Sequence, residues 1–361
     1  MAEVLKIGII GCGGIANGKH MPSLAKQKNA KMVAFCDIIP ERAKKAAADY
    51  GDAKADVYED YKELLKDKKI DVVHVCTPNS SHSEITVAAL EAGKHVMCEK
   101  PMAKTAAEAR EMLAAAKRTG KKLSIGYQNR CLPESQYLKA VCDRGDLGEV
   151  YYARAKALRR RAVPTWGVFL DEEKQGGGPL IDIGTHALDL TLWMMNNYKP
   201  KYAVGTTYHK LGKNENAANA WGPWDPKKFT VEDSAFGFVV MEDGATILVE
   251  SSWALNTLLD GESKTILCGT KGGADMEDGL RLNGEDMGKM FTTKPVLGAG
   301  GVAFYEGSSE DPADMEARLW LQSIQEDKDP QVLPEQALVV TEILEAIYTS
   351  AKTGEPFYFN K

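Results

Sequence analysis

The stretch Leu5-Lys6-Ile7-Gly8-Ile9-Ile10-Gly11-Cys12-Gly13-Gly14-Ile15-Ala16 decides the fold. A short apolar run stops on a glycine turn, and the turn opens directly into residues with helical spacing. The turn fits G-x-G-x-x-G/A. Gly11 permits the tight bend, Gly13 lets a pyrophosphate approach the backbone, and small Ala16 allows close packing, while the helix start through Gly14 and Ile15 offers amide N–H groups to the anion. Glycine turns are common, so context carries the weight. The next apolar run ends at Cys36-Asp37, and Asp37 lies 21 residues beyond Ala16, where a carboxylate reaches a ribose 2′-hydroxyl. Neither residue 38 nor residue 39 is Arg or Lys, and a carboxylate repels a 2′-phosphate. NAD is expected rather than NADP.

Outward from this turn, residues 1–127 alternate short apolar runs with amphipathic stretches, as strand–helix–strand units of a parallel sheet do. Strands are expected at Leu5 to Ile10, Met32 to Cys36, Val72 to Cys76, His95 to Cys98 and Leu123 to Tyr127. Helices are expected at Ile15 to Lys28, Pro40 to Tyr50, Asp60 to Leu65, Ser81 to Ala92 and Ala106 to Thr119. In the last, Ala109, Met112, Leu113 and Ala116 form one apolar stripe. The expected fold here is a doubly wound Rossmann domain, whose crevice lies at the carboxyl ends of the strands. Three polar clusters stand where apolar runs stop: Cys76-Thr77-Pro78-Asn79, Cys98-Glu99-Lys100-Pro101 and Gly126-Tyr127-Gln128-Asn129-Arg130. Position makes Thr77, Pro78, Asn79, Glu99, Lys100 and Gln128 candidate cofactor contacts and Asn129 and Arg130 candidate substrate contacts, although Thr-Pro-Asn is also an ordinary loop former. His82 joins the cofactor candidates, against the plainer reading of a structural histidine at a helix start.

From about Glu149 the period changes to two. In Tyr151 to Leu158 the alanines fall on one face; Phe236, Phe238 and Val240 alternate with Ala235, Gly237 and Val239; and Thr246 to Trp253 reads as a further strand. Helices are expected at Leu180 to Asn196, Met315 to Glu326 and Pro334 to Lys352, and long loops at Lys210 to Phe229 and Asp286 to Gly307. The chain is thus α/β: a Rossmann domain, 1–127, then an α+β domain, 128–361, with a mainly antiparallel sheet.

Composition bounds the function. At roughly 150 residues per domain, 361 residues fit two domains, and 44% hydrophobic against 27% charged residues supplies real cores. A net charge of -6 and a pI near 5.7 remove the broad attraction to phosphate or anionic lipid of nucleic-acid and membrane-surface proteins. Charged residues interrupt every apolar run before about 18 residues, and Met1 to Lys6 lacks a basic leader, so the expected location is the cytoplasm. Seven cysteines, an odd number without Cys-x-x-Cys, argue against a disulfide framework or zinc ribbon. Cys12, Cys36, Cys76 and Cys98 read as packing residues at strand ends.

The chemistry concentrates after Gly176-Gly177-Gly178, where Asp182 and His186 stand four apart on an expected helix and share a face. A carboxylate beside an imidazole raises its basicity and suits proton transfer at an alcohol oxygen. An ordinary helical ion pair explains the spacing equally well. Metal ligation lacks a second cluster of ligands, so no metal is expected. Arg159-Arg160-Arg161 tempts a nucleic-acid reading, but three arginines in an acidic chain are a weak footprint, and a salt-bridged strand edge accounts for them.

Taken together, Gly11-x-Gly13-x-x-Ala16, Cys76-Thr77-Pro78-Asn79, Glu99-Lys100-Pro101 and Gly176-Gly177-Gly178 leading to Asp182-x-Gly184-x-His186-x-x-Asp189 resemble the Gfo/Idh/MocA oxidoreductase family across essentially the whole chain. The resemblance implies NAD(P)-dependent chemistry at a sugar or cyclitol hydroxyl and an open sheet that packs into homo-oligomers, dimers or tetramers. It implies that Lys100 is the catalytic lysine at the substrate hydroxyl, and that Asp182 and His186 are the substrate-side acid and histidine. It also places Arg159, Arg161 and Trp166 in a sugar pocket. Within the family the chain looks like the glycoside and levoglucosan 3-dehydrogenase branch, which implies oxidation at C3 of a pyranoside. Two alternatives stand beside it: a redox-neutral glycosidase that oxidises C3 transiently with held NAD, and a sensor that binds NAD or sugar without chemistry.

Overall fold

The computed structural model describes residues 4–297 and 310–359. The chain divides into two compact units, Met1–Cys131 with Glu310–Leu338, and Leu132–Ser309 with Val339–Lys361.

In the first unit β1 (Leu5–Ile10), β2 (Ala30–Cys36), β3 (Asp56–Tyr58), β4 (Val72–Val75), β5 (His95–Cys98) and β6 (Leu123–Ile125) form a wholly parallel sheet in the order β3-β2-β1-β4-β5-β6. This is the doubly wound order of a Rossmann domain, with its switch point between β1 and β4. The strands are continuously apolar because both faces are covered: Ile7, Ile9, Val72, Val73 and Val96 are fully buried. The helices begin and end where side-chain chemistry dictates. Ala106–Thr119 starts at Thr105, whose hydroxyl accepts the Glu108 N–H, and stops at Gly120 in the left-handed conformation.

The sequence reading keeps every residue after 127 in the second domain, whereas the helix Pro312–Gln325 returns to the first unit. It lays Ala317, Trp320 and Leu321 into the same core as Ile7, Ile9, Met21 and Phe35. Periodicity reveals the apolar face of a helix but not which core receives it.

The second unit holds β7 (Val150–Leu158), β8 (Pro200–Tyr208), β9 (Ser234–Met241), β10 (Thr246–Ser252), β11 (Gly261–Gly269), β12 (Gly272–Asp275), β13 (Arg281–Asp286), β14 (Lys289–Thr293) and β15 (Phe357–Tyr358). They join in the order β14-β13-β12-β11-β7-β10-β9-β8-β15. Only β7 and β10 pair in parallel; the other neighbours are antiparallel. Ala153, Ala155 and Ala157 are fully buried on β7, and their small side chains let the helix Thr185–Met195 pack closely on β7 and β11. A row crosses the opposite face in register, Val204–Phe238–Leu248–Arg154–Ile266, and its Val204–Phe238 end is open to solvent, with Phe238 41% exposed.

Two expectations are corrected in this unit. The helix Leu180 to Asn196 is not uniformly α: Leu180–Gly184 is a π-helical turn, and α-helix runs only over Thr185–Met195. The loop expected from Asp286 begins instead as the hairpin of β13 and β14, turned at Met287-Gly288, both with positive φ as a two-residue hairpin turn requires. A methionine in that role hides the turn from sequence reading. Residues 298–307 of that expected loop lie outside the described residues. Among the described residues no helix is long and apolar enough to cross a membrane.

Candidate active site

At the carboxyl edge of the parallel sheet, backbone bonds align the strand ends. Gly11 N–H donates to Cys36 O (2.8 Å), Cys76 N–H to Ile10 O (2.8 Å), Glu99 N–H to Val75 O (2.9 Å) and Gly126 N–H to Cys98 O (2.8 Å). The fold therefore gathers the glycine turn, Asp37, Thr77–Asn79, Glu99–Lys100 and Gln128–Asn129 along one edge. Gly11 has φ +90, and a Cβ there would lie 2.7 Å from the Cys76 carbonyl, so this turn excludes every other residue. Above Gly13 and Gly14 the opposite holds: a Cβ would meet nothing within 4 Å. The loop thus leaves a cradle of open space at the helix start, as a bound pyrophosphate requires. Asn17 shapes it from within by donating to Cys12 O and Gly13 O, both at 2.8 Å. The Asp37 carboxylate accepts the Cys12 N–H (2.8 Å) and the Ile39 N–H (2.8 Å), which fixes it beside the turn.

Glu99 points inward from the same edge. Its carboxylate accepts the Lys100 N–H (3.1 Å) and pairs with Lys19 (2.6 Å) and His20 Nε2 (2.7 Å), while Lys19 also pairs with Glu316 (3.0 Å). Burial alone would raise Glu99, but Lys19 and His20 overcome it and hold the carboxyl well below its ordinary value. His20 Nδ1 meets His74 Nδ1 at 2.9 Å, and burial, reinforced by His20 and Lys19, drives His74 far down and keeps it neutral. Lys100 itself is partly exposed and precedes a cis peptide to Pro101.

Several candidates are committed elsewhere. His82 places Nδ1 2.8 Å from Pro101 O and Nε2 2.9 Å from Thr77 O; burial lowers its pKa, and the neutral ring donates to one of these carbonyls while packing between the two flanking loops. Arg130 is fully buried, and its guanidinium donates to Gln331 O (3.0 Å) and Gln336 Oε1 (2.8 Å) within the first unit, which turns it away from a ligand. Burial, with Asp37 nearby, pushes the Cys12 and Cys36 thiols up to about 12, and burial does the same at Cys98. Such thiols are inert packing groups at neutral pH.

In the second unit Asp182 is buried, and its carboxylate accepts the indole N–H of Trp253 at 3.0 Å. Two residues before it the backbone is clamped. The buried Glu232 carboxylate accepts the Gly178 N–H (2.7 Å), the Leu180 N–H (3.2 Å) and the Tyr348 O–H (2.8 Å). A Cβ on Gly177 would lie 2.2 Å from the Tyr348 hydroxyl, and one on Gly178 2.2 Å from Glu232 O. The glycine run therefore exists so that Glu232 and Tyr348 can press against backbone. Burial pushes Glu232 up to about 7 against the donors that pull it down.

Trp253 also begins a ladder of edge-on aromatic rings. Phe169 follows at 6.4 Å, Trp166 at a further 6.0 Å and Trp221 at 4.9 Å beyond that. Arg159 lies over Trp221 at 5.1 Å and is forked onto Glu262 at 2.6 and 2.8 Å. Arg161 donates to Asn256 Oδ1 (2.6 Å). Sequence reasoning names Trp166, Arg159 and Arg161 but misses Trp253, Phe169, Trp221 and Glu232, which lie far apart in the chain and carry no motif.

A doubly wound sheet with an open glycine cradle and a carboxylate at the end of β2, followed by a sheet domain carrying an acid and a histidine, defines a nucleotide-dependent oxidoreductase. Family comparison agrees. Residues 5–127 match the oxidoreductase family with an NAD-binding Rossmann fold, and residues 135–275 match the GFO/IDH/MocA C-terminal domain. The chain belongs to the GFO/IDH/MocA family. It is 36% identical over 350 residues to D-glucoside 3-dehydrogenase of Escherichia coli (strain K12), covering 97% of this chain and 96% of the relative. Among solved structures it resembles the oxidoreductase domain protein from Kribbella flavida, at TM-score 0.84 and 26% identity over 100% of both chains. It also resembles levoglucosan dehydrogenase in complex with NADH, at TM-score 0.82 and 22% identity over 99% of both chains, a likeness of fold.

Proposed function

We propose that this oxidoreductase is an NAD-dependent dehydrogenase that oxidises a secondary hydroxyl of a sugar, at C3 of a pyranoside. One observation carries the substrate half: the buried acid Asp182 sits at the inner end of an aromatic ladder, bonded to Trp253. Ring faces suit the C–H surface of a pyranose, and an acid suits its hydroxyls. Near full-length likeness to D-glucoside 3-dehydrogenase supports both the substrate class and the carbon.

The cofactor half rests on the cradle at Gly13 and Gly14 and on Asp37, whose fixed carboxylate would accept from a ribose 2′-hydroxyl and repel a 2′-phosphate. NAD held by these residues would supply the acceptor for the hydride of the carbinol carbon. The chain supplies the rest. The Lys100 ammonium stabilises negative charge developing on the alcohol oxygen, and His186, as general base, takes the hydroxyl proton, leaving a ketone. Asp182 orients the sugar through its hydroxyls. The open face of the nine-stranded sheet, where Phe238 is exposed, serves a homo-oligomer, and the seven unpaired cysteines fit a reducing cytoplasm.

The test is incubation of purified protein with NAD, or with NADP, and a panel of free sugars, cyclitols and glycosides, reading nicotinamide absorbance and products by mass spectrometry. Stoichiometric NADH and a 3-keto glycoside are expected. Aglycone release with catalytic NAD would replace this reading with the elimination mechanism, and no reaction with any glycoside would refute it. Lys100→Ala and His186→Ala should each lower turnover by orders of magnitude while NAD still binds.

A further inference from the structure

We propose that Trp166 and Trp221 form an outer subsite that binds the second ring of a glycoside, so that the preferred substrate carries a ring, sugar or aryl, on its glycosidic oxygen. The proposal rests on the glycoside reading above and adds to it which glycosides are favoured.

Exposure rises along the aromatic ladder from Trp253 to Trp166 and stays high at Trp221. Trp253 is fully buried against Asp182, Phe169 is half-buried, and Trp166 and Trp221 are 53% and 43% exposed. Three ring-to-ring steps separate Trp253 from Trp221. A single pyranose engaged by Asp182 has no second ring to lay on Trp221, whereas a glycoside has one. Two adjacent, open tryptophans are costly to leave in water and mark a surface that something covers.

The outer pair is also held rigid, as a binding platform should be. Thr165 Oγ1 donates to Trp221 O (2.9 Å). The Asn219 side chain accepts the Val163 N–H (2.8 Å) and donates to Val163 O (3.0 Å) and Gly222 O (2.7 Å), and Ala220 N–H donates to Arg161 O (3.0 Å). The Trp221 loop is thus zipped to residues 161–165. Arg159 covers one side of Trp221 while Glu262 fixes its guanidinium. Flat aromatic surface bordered by guanidinium donors is the chemistry that recognises a hydroxylated or aryl ring.

Steady-state kinetics test this with methyl, phenyl and glucosyl β-glucosides, on the full-length wild type, Trp221→Ala, Trp166→Ala and Trp221→Phe. In either alanine variant the kcat/KM ratios of phenyl over methyl and of glucosyl over methyl should fall about tenfold, the worth of one lost stacking contact. Trp221→Phe should retain most of each ratio. A fall in the phenyl ratio alone identifies an aryl subsite, and a fall in both a general ring subsite; each supports the proposal. Equal losses for all three substrates, or a changed oligomeric state by light scattering, would overturn it, the latter by assigning the patch to a subunit contact. Calorimetric binding of the disaccharide without nicotinamide separates the two readings. Disaccharide binding that depends on Trp221 in a protein that oxidises no glycoside would preserve the subsite and remove the dehydrogenase.

Discussion

Glu232→Gln isolates a buried carboxyl whose charge works against the fold. Burial raises Glu232 from its ordinary 4.5 to about 7, despite bonds from Gly178, Leu180 and Tyr348. A carboxyl raised in the folded state contributes stability that is complete below about pH 4.5 and is lost as pH climbs through about 7. The shift corresponds to about 3 kcal/mol across that window. Glutamine does not titrate. Its amide also sets an NH2 among N–H donors, where the protonated carboxyl of wild type keeps acceptor lone pairs on both oxygens, a cost of about 1–3 kcal/mol. The variant should therefore be clearly weaker than wild type at about pH 4.5, and the gap should close by about 3 kcal/mol by about pH 8. Urea unfolding followed by tryptophan emission reads the right part of the molecule, since five of the six tryptophans, at 166, 193, 221, 224 and 253, lie in the second unit with Glu232. A difference that stays flat across this range would show that Glu232 is ionised throughout and that its donors, not burial, set its charge.

Three further outcomes follow from the same contacts. Asp37→Ala removes a charged partner from the Cys12 amide and, on the proposed cofactor reading, from the ribose; NAD affinity by fluorescence titration should fall roughly ten- to a hundredfold, and an unchanged affinity would argue against the ribose contact. Arg130→Met should destabilise the protein by about 3 kcal/mol or more in urea unfolding, because Gln331 O and Gln336 lose a fully buried donor; a neutral effect would contradict the inward placement. Phe238→Lys puts a charge on the open sheet face, and light scattering should show a homo-oligomer reduced toward monomer, whereas an unchanged mass would move the interface elsewhere.

What the sequence makes legible here is local. The Rossmann half reads well because each strand, turn and helix carries its own signal: Pro40–Tyr50 and Ala106–Thr119 fall on the expected residues, and Gly11 sits where only glycine fits. Asp37 can be singled out as a candidate because its distance from the turn is fixed by one strand–helix–strand unit. The sheet half reads less well. β8 and β11 go unseen, since half-exposed residues such as Thr206, Thr207 and Lys264 blur the alternation that marks a strand. The site residues that sequence misses share one property. Glu232 and Trp253 act on Gly178 and Asp182 across separations of 54 and 71 residues, and no spacing rule reaches that far. Arg130 shows what a strand-end position leaves open: it stands among polar residues, as a ligand contact would, and the helix Pro334–Thr353 brings Gln336 to receive it.

The same long-range logic explains the acid in Glu99-Lys100-Pro101. The lysine carries the proposed chemistry, but its neighbour is a buried carboxylate, and a buried charge persists only when it is matched. The matching cation, Lys19, and the hydrogen-bond partner His20 belong to the π-helical turn Ala16–His20 that follows the glycine loop, so one ion pair cross-links the cofactor cradle to the loop that bears Lys100. Glu316, delivered by the returning C-terminal helix, holds Lys19 from its other side. Burial alone would lower Lys19, yet these two carboxylates raise it above its ordinary value, so the network stays charged throughout the neutral range. Removing one member leaves an unmatched charge in the core, at about 3–5 kcal/mol, rather than a simple loss of one contact. Lys19→Met should therefore disturb the glycine loop and the Lys100 loop together, lowering NAD affinity and turnover in the same variant, while Lys19→Met with both Glu99→Gln and Glu316→Gln should recover stability without recovering turnover. Recovery of both would mean that Glu99 serves only to balance charge and that Lys100 needs no help from its carboxylate.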